Sequence, residues 1–400
     1  MTGVVVVGAS AAGLSVAETL RRQGFDGRIT LIGDEPELPY DRPPLSKEIL
    51  SGQWPDERVW LRDEAAIAGL ELDLRLGVRA DGVDPAAKTV TLADGATVGY
   101  ENLVIATGVR PRWLPGTEGV PGVHVLRTLA DARSLKDLLA REPRLVIVGA
   151  GFLGAEVASV ARTAGAQVTL VSDLEAPLAD VLGRELGALL IGAHRERGVE
   201  VLTGVLVEQV LTAGGRAAGV RLADGRTIEA DAVLVSIGSV PNVEWLAGSG
   251  IECGNGVLCD EFCQAAPGVW AAGDVASWRH PSLGTRLRIE HRTNAAEQGM
   301  AVARNILAGG DPVPFAPVPY IWSDQYDLKV QIYGLPRGAD RFALTEGSVD
   351  ERSLVGLYGK DDRVCAAVGI NKIRAVRAAR ALVAAPTSWD AAFRREGTKV

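Results

Sequence analysis

Val4-Val5-Val6-Val7-Gly8-Ala9-Ser10-Ala11-Ala12-Gly13 is the stretch of sequence that decides the fold, because residues 145–154 repeat its pattern as Leu-Val-Ile-Val-Gly-Ala-Gly-Phe-Leu-Gly. In each copy an apolar strand leads into a helical pattern, a glycine and a second apolar strand, at 29–32 or 168–171. Continuous apolar strands are typical of parallel sheets that are buried on both faces. The repeat therefore predicts two βαβ units and an α/β fold.

The glycines of each copy lie at the turn from strand to helix, which is where βαβ units bind dinucleotides. Gly8 and Gly149 permit the tight turn, and Gly151 lets the backbone approach a pyrophosphate. Gly13 and Gly154 let the helix pack close to the strand. A pyrophosphate at this turn meets the free N–H groups and the positive dipole end of the helix.

An acidic residue follows the second strand of each copy. Asp34 and Asp173 are placed to accept hydrogen bonds from a ribose. Asp173 and Glu175 also put negative charge where the 2′-phosphate of NADPH would lie, so NADH is favoured over NADPH. The first copy differs from the second at Ser10, whose small side chain narrows the phosphate approach without closing it.

A second duplication follows each βαβ unit. The sequence Leu-Ala-Asp-Gly occurs at 92–95 and again at 222–225, and each copy leads to an apolar strand that ends in Gly108 or Gly238. Asp-Gly between short strands is typical of a hairpin turn. We expect a hairpin and a returning parallel strand in each domain, with the terminal glycine close to the bound dinucleotide.

Composition and charge exclude several classes of function. The formal net charge of −8 disfavours non-specific binding to nucleic acid, which requires clustered cations. The apolar runs are far shorter than the roughly 20 residues of a membrane helix, and a strand at the start leaves no room for a secretory signal. We predict a cytoplasmic protein that binds neither nucleic acid nor membrane.

Cysteine and histidine spacing gives no sign of a metal site. No pair among Cys253, Cys259, Cys263 and Cys365 has CxxC spacing, which argues against a zinc site and a dithiol redox motif. Reduced, buried thiols are the expectation in the cytosol. The four histidines do not suggest a metal cluster either, so no metal is predicted.

Basic residues are concentrated near the C-terminus. Residues 351–400 contain ten Lys or Arg against five Asp or Glu. This excess of positive charge makes the segment a candidate docking face for an acidic partner. A solvated helix face is the alternative.

Three motifs resemble the two-dinucleotide-binding flavoprotein superfamily that includes glutathione reductase. They are the N-terminal glycine motif, Ala106-Thr107-Gly108 and Trp270-Ala271-Ala272-Gly273-Asp274. The resemblance implies FAD in the first βαβ unit and NAD(P)H in the second. It also implies that Asp274 hydrogen-bonds the ribityl chain of FAD.

The segment Pro39-Tyr40-Asp41-Arg42-Pro43-Pro44-Leu45-Ser46-Lys47 distinguishes classes within this superfamily. It contains no cysteine, whereas disulfide reductases carry a redox pair there and NADH peroxidases a single cysteine. The segment, together with Trp322-Ser323-Asp324-Gln325-Tyr326, resembles the oxygenase-coupled ferredoxin reductases. That resemblance implies transfer of electrons from NAD(P)H through FAD to a [2Fe–2S] ferredoxin, which supplies a cytochrome P450 or a ring-hydroxylating dioxygenase.

The same resemblance implies roles for individual side chains. Lys47 is placed near flavin N5 and C4=O, with Glu156 as its matching partner from the first turn of the nicotinamide-binding helix. A surface cation and a helix-dipole acid are the alternatives. Trp322 is placed at the flavin edge, with a plain core or interface tryptophan as the alternative. The remaining residues predicted to bind the cofactors are Ala12, Glu35, Arg42, Ala80, Ala106, Thr107, Arg127, Phe152, Leu153, Gly273 and Arg292.

The predicted fold is two Rossmann-like dinucleotide-binding domains of the glutathione-reductase type plus a C-terminal α+β domain. The FAD domain is expected at 1–111 and 243–315, the NAD domain at 112–242 and the C-terminal domain at 316–400. The oligomeric state is left open between monomer and homodimer.

Two other functions stay open. An NADH oxidase passes electrons to oxygen, and the missing cysteine beside the flavin argues against it. A redox-sensing NADH-binding protein that resembles apoptosis-inducing factor would change its assembly on binding NADH, but this sequence lacks a strongly basic overall charge.

Overall fold

The computed structural model describes residues 3–394. Residues 1–2 of the predicted FAD domain and residues 395–400 of the predicted C-terminal domain lie outside the described residues. The described chain divides into two compact units. Unit 1 contains residues 3–42, 57–110 and 239–317, and unit 2 contains residues 43–56, 111–238 and 318–394. The predicted boundaries between three domains stay a prediction.

The first part of the chain contains β1 Gly3–Val7, α1 Ala11–Arg22, β2 Arg28–Ile32, α2 Glu64–Ala68, β3 Asp73–Arg75, β4 Ala80–Asp84, β5 Thr89–Leu92, β6 Thr97–Gly99, β7 Asn102–Ile105 and β8 Val109–Pro111. It is followed by β9 Val123–His124, α3 Leu129–Leu139, β10 Arg144–Val148, α4 Phe152–Thr163, β11 Gln167–Val171, α5 Ala179–Glu196, β12 Glu200–Leu202, β13 Val207–Ala213, β14 Arg216–Leu222, β15 Thr227–Glu229 and β16 Ala232–Val235.

The chain continues with β17 Ser239–Pro241, β18 Cys253–Gly254, β19 Gly256–Cys259, β20 Gln264–Ala266, β21 Val269–Ala271, β22 Ala276–His280, β23 Thr285–Leu287 and α6 Arg292–Ala308. Its last part contains β24 Tyr320–Gln325, β25 Leu328–Gly334, β26 Arg341–Ser348, β27 Ser353–Lys360, β28 Arg363–Ile370, α7 Ile373–Ala384 and α8 Trp389–Phe393. Short 3-10 helices lie at Pro43–Ser46, Asp56–Val59, Glu244–Leu246 and Gly273–Val275.

Unit 1 is built on a six-stranded sheet in the order β20-β21-β7-β1-β2-β3. β1 pairs in parallel with β2 and with β7, and every residue of β1 is buried. Helix α6 packs against α1, and the approach is close because a Cβ added to Gly299 would lie 2.4 Å from the carbonyl oxygen of Ala12. The predicted hairpin is β5–β6, and β7 is the predicted parallel strand that follows it.

Unit 2 contains a second parallel sheet in the order β12-β11-β10-β16-β9. β10 is the central strand and pairs in parallel with β11 and β16. The Asp-Gly hairpin here is β14–β15, and the returning strand is β16. Both predicted Rossmann-like units are therefore confirmed.

The last part of unit 2 is an antiparallel five-stranded sheet in the order β24-β25-β28-β27-β26. Helix α7 packs on β25 and β28. The opposite face of this sheet packs against Leu182, Leu186 and Leu190 of α5. Helix α5 is kinked at Gly183. The predicted C-terminal α+β architecture is confirmed.

Among the described helices, none combines the length and the apolar character that crossing a membrane requires.

Candidate functional site

The turn after β1 has the geometry expected of a phosphate-binding loop. Gly8 has a φ of 120°, and a Cβ on it would lie 2.0 Å from the carbonyl oxygen of Ala106. A Cβ on Gly13 would lie 1.9 Å from the carbonyl oxygen of Gly8. Ser10 precedes α1 but its side chain does not cap the helix. The first N–H groups of α1 therefore have no cap from Ser10 and point toward the space beyond the helix end.

The turn after β10 in unit 2 repeats this geometry. Gly149 has a φ of 106°, and a Cβ on it would lie 2.1 Å from the carbonyl oxygen of Ser236. A Cβ on Gly154 would lie 2.0 Å from the carbonyl oxygen of Gly149. A Cβ on Gly151, in contrast, would meet no atom within 4 Å. Gly151 therefore borders open space at the helix end, as a site for a pyrophosphate requires.

The acidic residues after β2 differ in their surroundings. Asp34 is exposed. Glu35 is held by Arg42, whose Nη2 lies 2.6 Å from Oε1 of Glu35, and it also accepts a hydrogen bond from the hydroxyl of Tyr40. Asp34 is thus the exposed acid at this strand end, while Glu35 is paired with Arg42.

Arg42 lies in a cluster of charges within unit 1. Burial alone would lower the pKa of its guanidinium, but Tyr40, Glu35 and Asp274 raise the pKa overall. Arg292, the first residue of α6, forms an ion pair with Asp41. The structure thus brings Asp274 near Arg42, and Arg292 against Asp41, although the sequence places the members of each pair far apart.

Other predicted FAD residues lie at the ends of strands of unit 1. Thr107 donates its hydroxyl to the carbonyl oxygen of Asn242 at 2.8 Å, and the amide of Asn242 donates to the carbonyl oxygen of Thr107 at 2.9 Å. Gly273 donates its N–H to the side-chain oxygen of Gln298 at 2.9 Å. Ala80 is buried in β4. Ala106 and Gly108 flank Thr107, and Gly108 has a φ of 65°.

The end of β11 carries exposed carboxylates. Ser172 is buried and accepts a hydrogen bond from the N–H of Leu174. Asp173 and Glu175 are both exposed. Negative charge is therefore presented to solvent where the second strand of this βαβ unit ends. Gly238, after β16, has a φ of 93° and lies in the same unit.

Lys47 and Glu156 form an ion pair inside unit 2. The distance from Nζ of Lys47 to Oε2 of Glu156 is 2.6 Å, and both side chains are largely buried. Lys47 also donates to the carbonyl oxygen of Pro43 at 3.0 Å and to Oγ of Ser46 at 3.2 Å. All three N–H groups of the ammonium thus have protein acceptors.

One detail of the sequence prediction for Glu156 was wrong. Glu156 is the fifth residue of α4, which begins at Phe152, and the first turn of this helix contains no acid. Glu156 therefore does not act as a first-turn helix-dipole acid. The helix begins at Phe152 because Gly151 is its N-cap, and this places Glu156 one turn deeper.

A buried hydrogen-bond network extends from Glu156, and the sequence analysis missed it. Ser46 donates to Oε2 of Glu156 at 2.5 Å, and Ser323 donates to Oε1 at 2.7 Å. Gln325 donates its Nε2 to Oγ of Ser323 at 3.2 Å. Nε2 of His194 lies 3.1 Å from Oε1 of Gln325. The signal in the sequence was the alternation of Ser323 and Gln325 on one face of β24.

His194 closes the far end of this network. Its Nδ1 lies 3.1 Å from the hydroxyl of Tyr326, and Arg197 stacks over the Tyr326 ring. Burial lowers the pKa of His194 most, the nearby Arg197 lowers it further, and the hydrogen bond with Gln325 opposes both. His194 is therefore a neutral imidazole near pH 7.

The remaining predicted cofactor residues lie in unit 2. Trp322 is partly buried and stacks on Tyr320, with ring centroids 5.7 Å apart. Arg127 immediately precedes the N-cap of α3. Its backbone N–H donates a hydrogen bond to the carboxylate of Asp131 at 2.9 Å. Leu153 is exposed at the start of α4, beside Phe152. Their contacts with a cofactor stay predictions.

The four cysteines are free thiols. Burial raises the pKa of Cys263 to about 12 and also raises that of Cys259. Such thiols are inert because the thiolate is the reactive form. Among residues 3–394, no group of three or more His, Cys, Asp or Glu could hold a metal ion.

The basic residues near the C-terminus lie largely on α7. Arg374, Arg377 and Arg380 are exposed, while Val376 faces the core. Lys372 is paired with Glu346 at 2.7 Å. The three arginines therefore form a basic helix face, which we call the α7 arginine face.

Comparison with known proteins identifies the family. Residues 2–299 match the family model described as pyridine nucleotide-disulphide oxidoreductase. The chain belongs to this family. Residues 320–396 match the model described as reductase C-terminal.

Individual relatives cover nearly the whole chain. Rhodocoxin reductase of Rhodococcus erythropolis is 38% identical over 95% of this chain and 89% of its own length. The ferredoxin–NAD(+) reductase component of the anthranilate 1,2-dioxygenase system of Burkholderia cepacia is 39% identical over 96% of this chain and 95% of its own length. A solved covalent complex of putidaredoxin reductase with putidaredoxin matches with a TM-score of 0.92 and 33% identity, covering 98% of this chain and 95% of that chain.

These matches confirm the resemblance that the sequence motifs indicated, both to the flavoprotein superfamily and to the oxygenase-coupled ferredoxin reductases. Membership implies FAD and NAD(H) as cofactors, as predicted. The geometry fits both groups, because two glycine turns border uncapped or open helix ends and exposed acids lie at both second strands.

Proposed function

We propose that this chain is an FAD-dependent NAD(P)H:ferredoxin oxidoreductase. It takes electrons from NADH, or less efficiently NADPH, and delivers them through FAD to a [2Fe–2S] ferredoxin that supplies a cytochrome P450 or a ring-hydroxylating dioxygenase. The observation that carries the proposal is the Lys47–Glu156 pair, since the segment around Lys47 contains a buried ion pair and no thiol. One relative is named as the ferredoxin–NAD(+) reductase component of a dioxygenase system, and a solved relative that is 33% identical is named as the ferredoxin reductase for the CYP199A2 system.

The chain's own residues bind and orient the two cofactors. In unit 1 the turn at Gly8 receives the pyrophosphate of FAD, Asp34 its ribose, and Asp274 its ribityl chain. In unit 2 the turn at Gly149 and Gly151 receives the pyrophosphate of the nicotinamide dinucleotide. When bound, FAD would supply the chemistry that accepts one hydride, which carries two electrons, and releases those electrons one at a time.

Lys47 contributes a fixed positive charge. We assign it to the N5 and C4=O edge of the flavin, where negative charge grows on reduction. Because its three N–H groups already have protein acceptors, Lys47 acts there mainly through its charge. Glu156 holds the ammonium in place.

The exposed carboxylates of Asp173 and Glu175 support NADH as the preferred donor. A 2′-phosphate at the end of β11 would meet the negative charges of both carboxylates. Among the described residues, neither carboxylate has a salt-bridge partner that would neutralise its charge.

We assign the protein to the cytoplasm, where its four free thiols would stay reduced.

The α7 arginine face is the proposed docking surface for the ferredoxin. A surface of this charge steers an acidic partner and loses influence as salt screens it. The test is the double reversal Arg377→Glu and Arg380→Glu. We expect ferredoxin-dependent reduction of cytochrome c at low salt to fall about tenfold, while NADH-driven reduction of ferricyanide, which needs only the flavin, stays unchanged.

A matched control is the double reversal Arg221→Glu and Arg226→Glu on the hairpin β14–β15, which changes the net charge equally. It should spare both activities. If the α7 variant loses both activities or neither, the docking surface lies elsewhere. Oxygen consumption measured without ferredoxin tests the NADH oxidase alternative, because an oxidase turns over NADH rapidly when no ferredoxin is present.

A further inference from the structure

The hydrogen-bond network behind Glu156 has only one arrangement of donors and acceptors. An ionised carboxylate accepts and cannot donate, so the single proton of the Ser323 hydroxyl must point to Oε1 of Glu156, 2.7 Å away. Ser323 then has only lone pairs left for Gln325. The side-chain amide of Gln325 must therefore present its NH₂ group to Ser323 and its carbonyl oxygen to His194.

The same reasoning fixes the tautomer of His194. The carbonyl oxygen of Gln325 accepts, so Nε2 of the neutral imidazole carries the proton. Nδ1 is then an acceptor and receives the hydroxyl proton of Tyr326. Every donor in the chain from Tyr326 to Ser323 thus points toward the carboxylate of Glu156, and the aligned bonds polarise one another.

The residues of this network are buried, so each of its hydrogen bonds matters for the position of its neighbours. The exposed fractions are 0% for His194 and Ser323, 1% for Gln325 and 6% for Glu156. Water does not replace a lost partner at such depth, so each missing hydrogen bond leaves an unsatisfied polar group. His194 on α5 and the β24 side chains are therefore locked to the orientation of Glu156 on α4.

We propose that Ser323, Gln325 and His194 are positioning residues for the Lys47–Glu156 pair. They hold the Glu156 carboxylate in a single orientation, and Glu156 in turn fixes the ammonium of Lys47. Ser46 supports the other carboxylate oxygen from the neighbouring segment. The inference rests on the proposed function, in which Lys47 acts on the flavin.

The first arm of the test is kinetic and uses the FAD-loaded protein in anaerobic stopped flow. Ser323→Ala removes the donor to Oε1. We expect the limiting rate of flavin reduction by NADH to fall by about tenfold or more, the typical loss for a hydrogen bond to a charged group, while the NADH concentration at half-saturation changes less than about twofold. Ser323→Thr keeps the hydroxyl and should restore most of the rate.

The control for this arm is Ser277→Ala. Ser277 is also a buried serine on a strand, and its side chain lies outside the network. Its variant should reduce the flavin at the wild-type rate.

The second arm is spectroscopic and does not depend on turnover. Histidine labelled with ¹⁵N in the ring gives four pairs of ring-nitrogen signals, because the chain has four histidines with two ring nitrogens each, and His194→Gln identifies the pair that belongs to His194. Wild-type protein should show a neutral His194 with the proton on Nε2. In Ser323→Ala the Gln325 amide is free to rotate, so His194 should show both tautomers, whereas Ser323→Thr should keep one.

The outcomes separate the inference from the proposed function. A slower rate with an unchanged His194 signal would mean that Ser323 acts alone and the network is wrong. A changed signal with an unchanged rate would mean that the network does not serve the flavin reaction, and no change in either overturns the proposal outright. The role of Lys47 is tested independently: Lys47→Ala with unchanged reduction rate, flavin potential and FAD affinity would refute that role whatever the His194 signal shows.

Discussion

The two βαβ units have the same turns but different strand ends. At both turns a Cβ on the first glycine would overlap the carbonyl oxygen of the next parallel strand, at 2.0 Å for Gly8 and 2.1 Å for Gly149. After β2, however, Glu35 is tied to Arg42 and Tyr40. After β11, Asp173 and Glu175 are exposed. We therefore expect the backbone turn to set where a dinucleotide binds, and the side chains beyond the second strand to set how firmly it is held.

This difference matches the two tasks of a flavin reductase. FAD must stay bound through many turnovers, and charges that hold the neighbouring chain in place favour retention. The nicotinamide dinucleotide must leave after each hydride transfer, and an open strand end favours exchange. Three variants test this comparison.

The largest expected effect is at the glycine turn, which has the same geometry in both units. Gly149→Ala places a methyl group 2.1 Å from the carbonyl oxygen of Ser236 at a residue with positive φ. We expect the free energy of unfolding to fall by about 3 kcal/mol or more. Gly151→Ala is the matched control, because its methyl group meets no atom within 4 Å. Thermal unfolding should separate the two variants, and equal stability would refute the steric account of Gly149.

An intermediate effect is expected at the strand end of unit 1, where Glu35 is paired with Arg42. Arg42→Met keeps an unbranched side chain in place of the arginine stem but removes the charge that holds Glu35. We expect the FAD dissociation constant to rise roughly 10- to 100-fold, as for a lost charge-assisted hydrogen bond. Fluorescence of released flavin measures it. Arg79→Met, which removes an exposed ion pair with Asp81, should leave FAD binding intact, and a similar loss in both variants would remove the special role of Arg42.

The smallest effect is expected at the open strand end of unit 2. Replacing Asp173 and Glu175 with serine removes two like charges from the place of a 2′-phosphate. The preference for NADH over NADPH should then fall by roughly three- to tenfold, in line with exposed charges at a partly screened site. Initial rates of flavin reduction with each donor give the ratio. Glu118 is another exposed acid in unit 2, and Glu118→Ser should leave the ratio of the rates with NADH and NADPH unchanged.

Much of the fold was readable from the sequence because its signals are local. The apolar stretches at 4–7 and 145–148 form strands that are one residue longer, and the second strands expected at 29–32 and 168–171 also form with one added residue each. Apolar runs and turn glycines contain this information within about 30 residues of each other.

The candidate site was less readable because its partners come from distant segments. Glu156 meets Ser46, Ser323 and Lys47, which lie more than a hundred residues away in the sequence. Nothing local marks His194 as part of this network, since a histidine in the last turn of a helix is common as a cap. The pairing of Arg42 with Glu35, only seven residues apart, was also missed, because the turn between them had no regular pattern.

Because helix α5 packs against one of its faces, the C-terminal sheet is not a self-contained module. Leu182, Leu186 and Leu190 lie in the same core as β25, β27 and β28. A fragment that ended before β24 would expose these leucines as an apolar strip on its surface, and such strips cause aggregation. The boundary between the two matched family models, after residue 299 and before residue 320, therefore does not coincide with a boundary of this core, and we expect a chain cut there to aggregate.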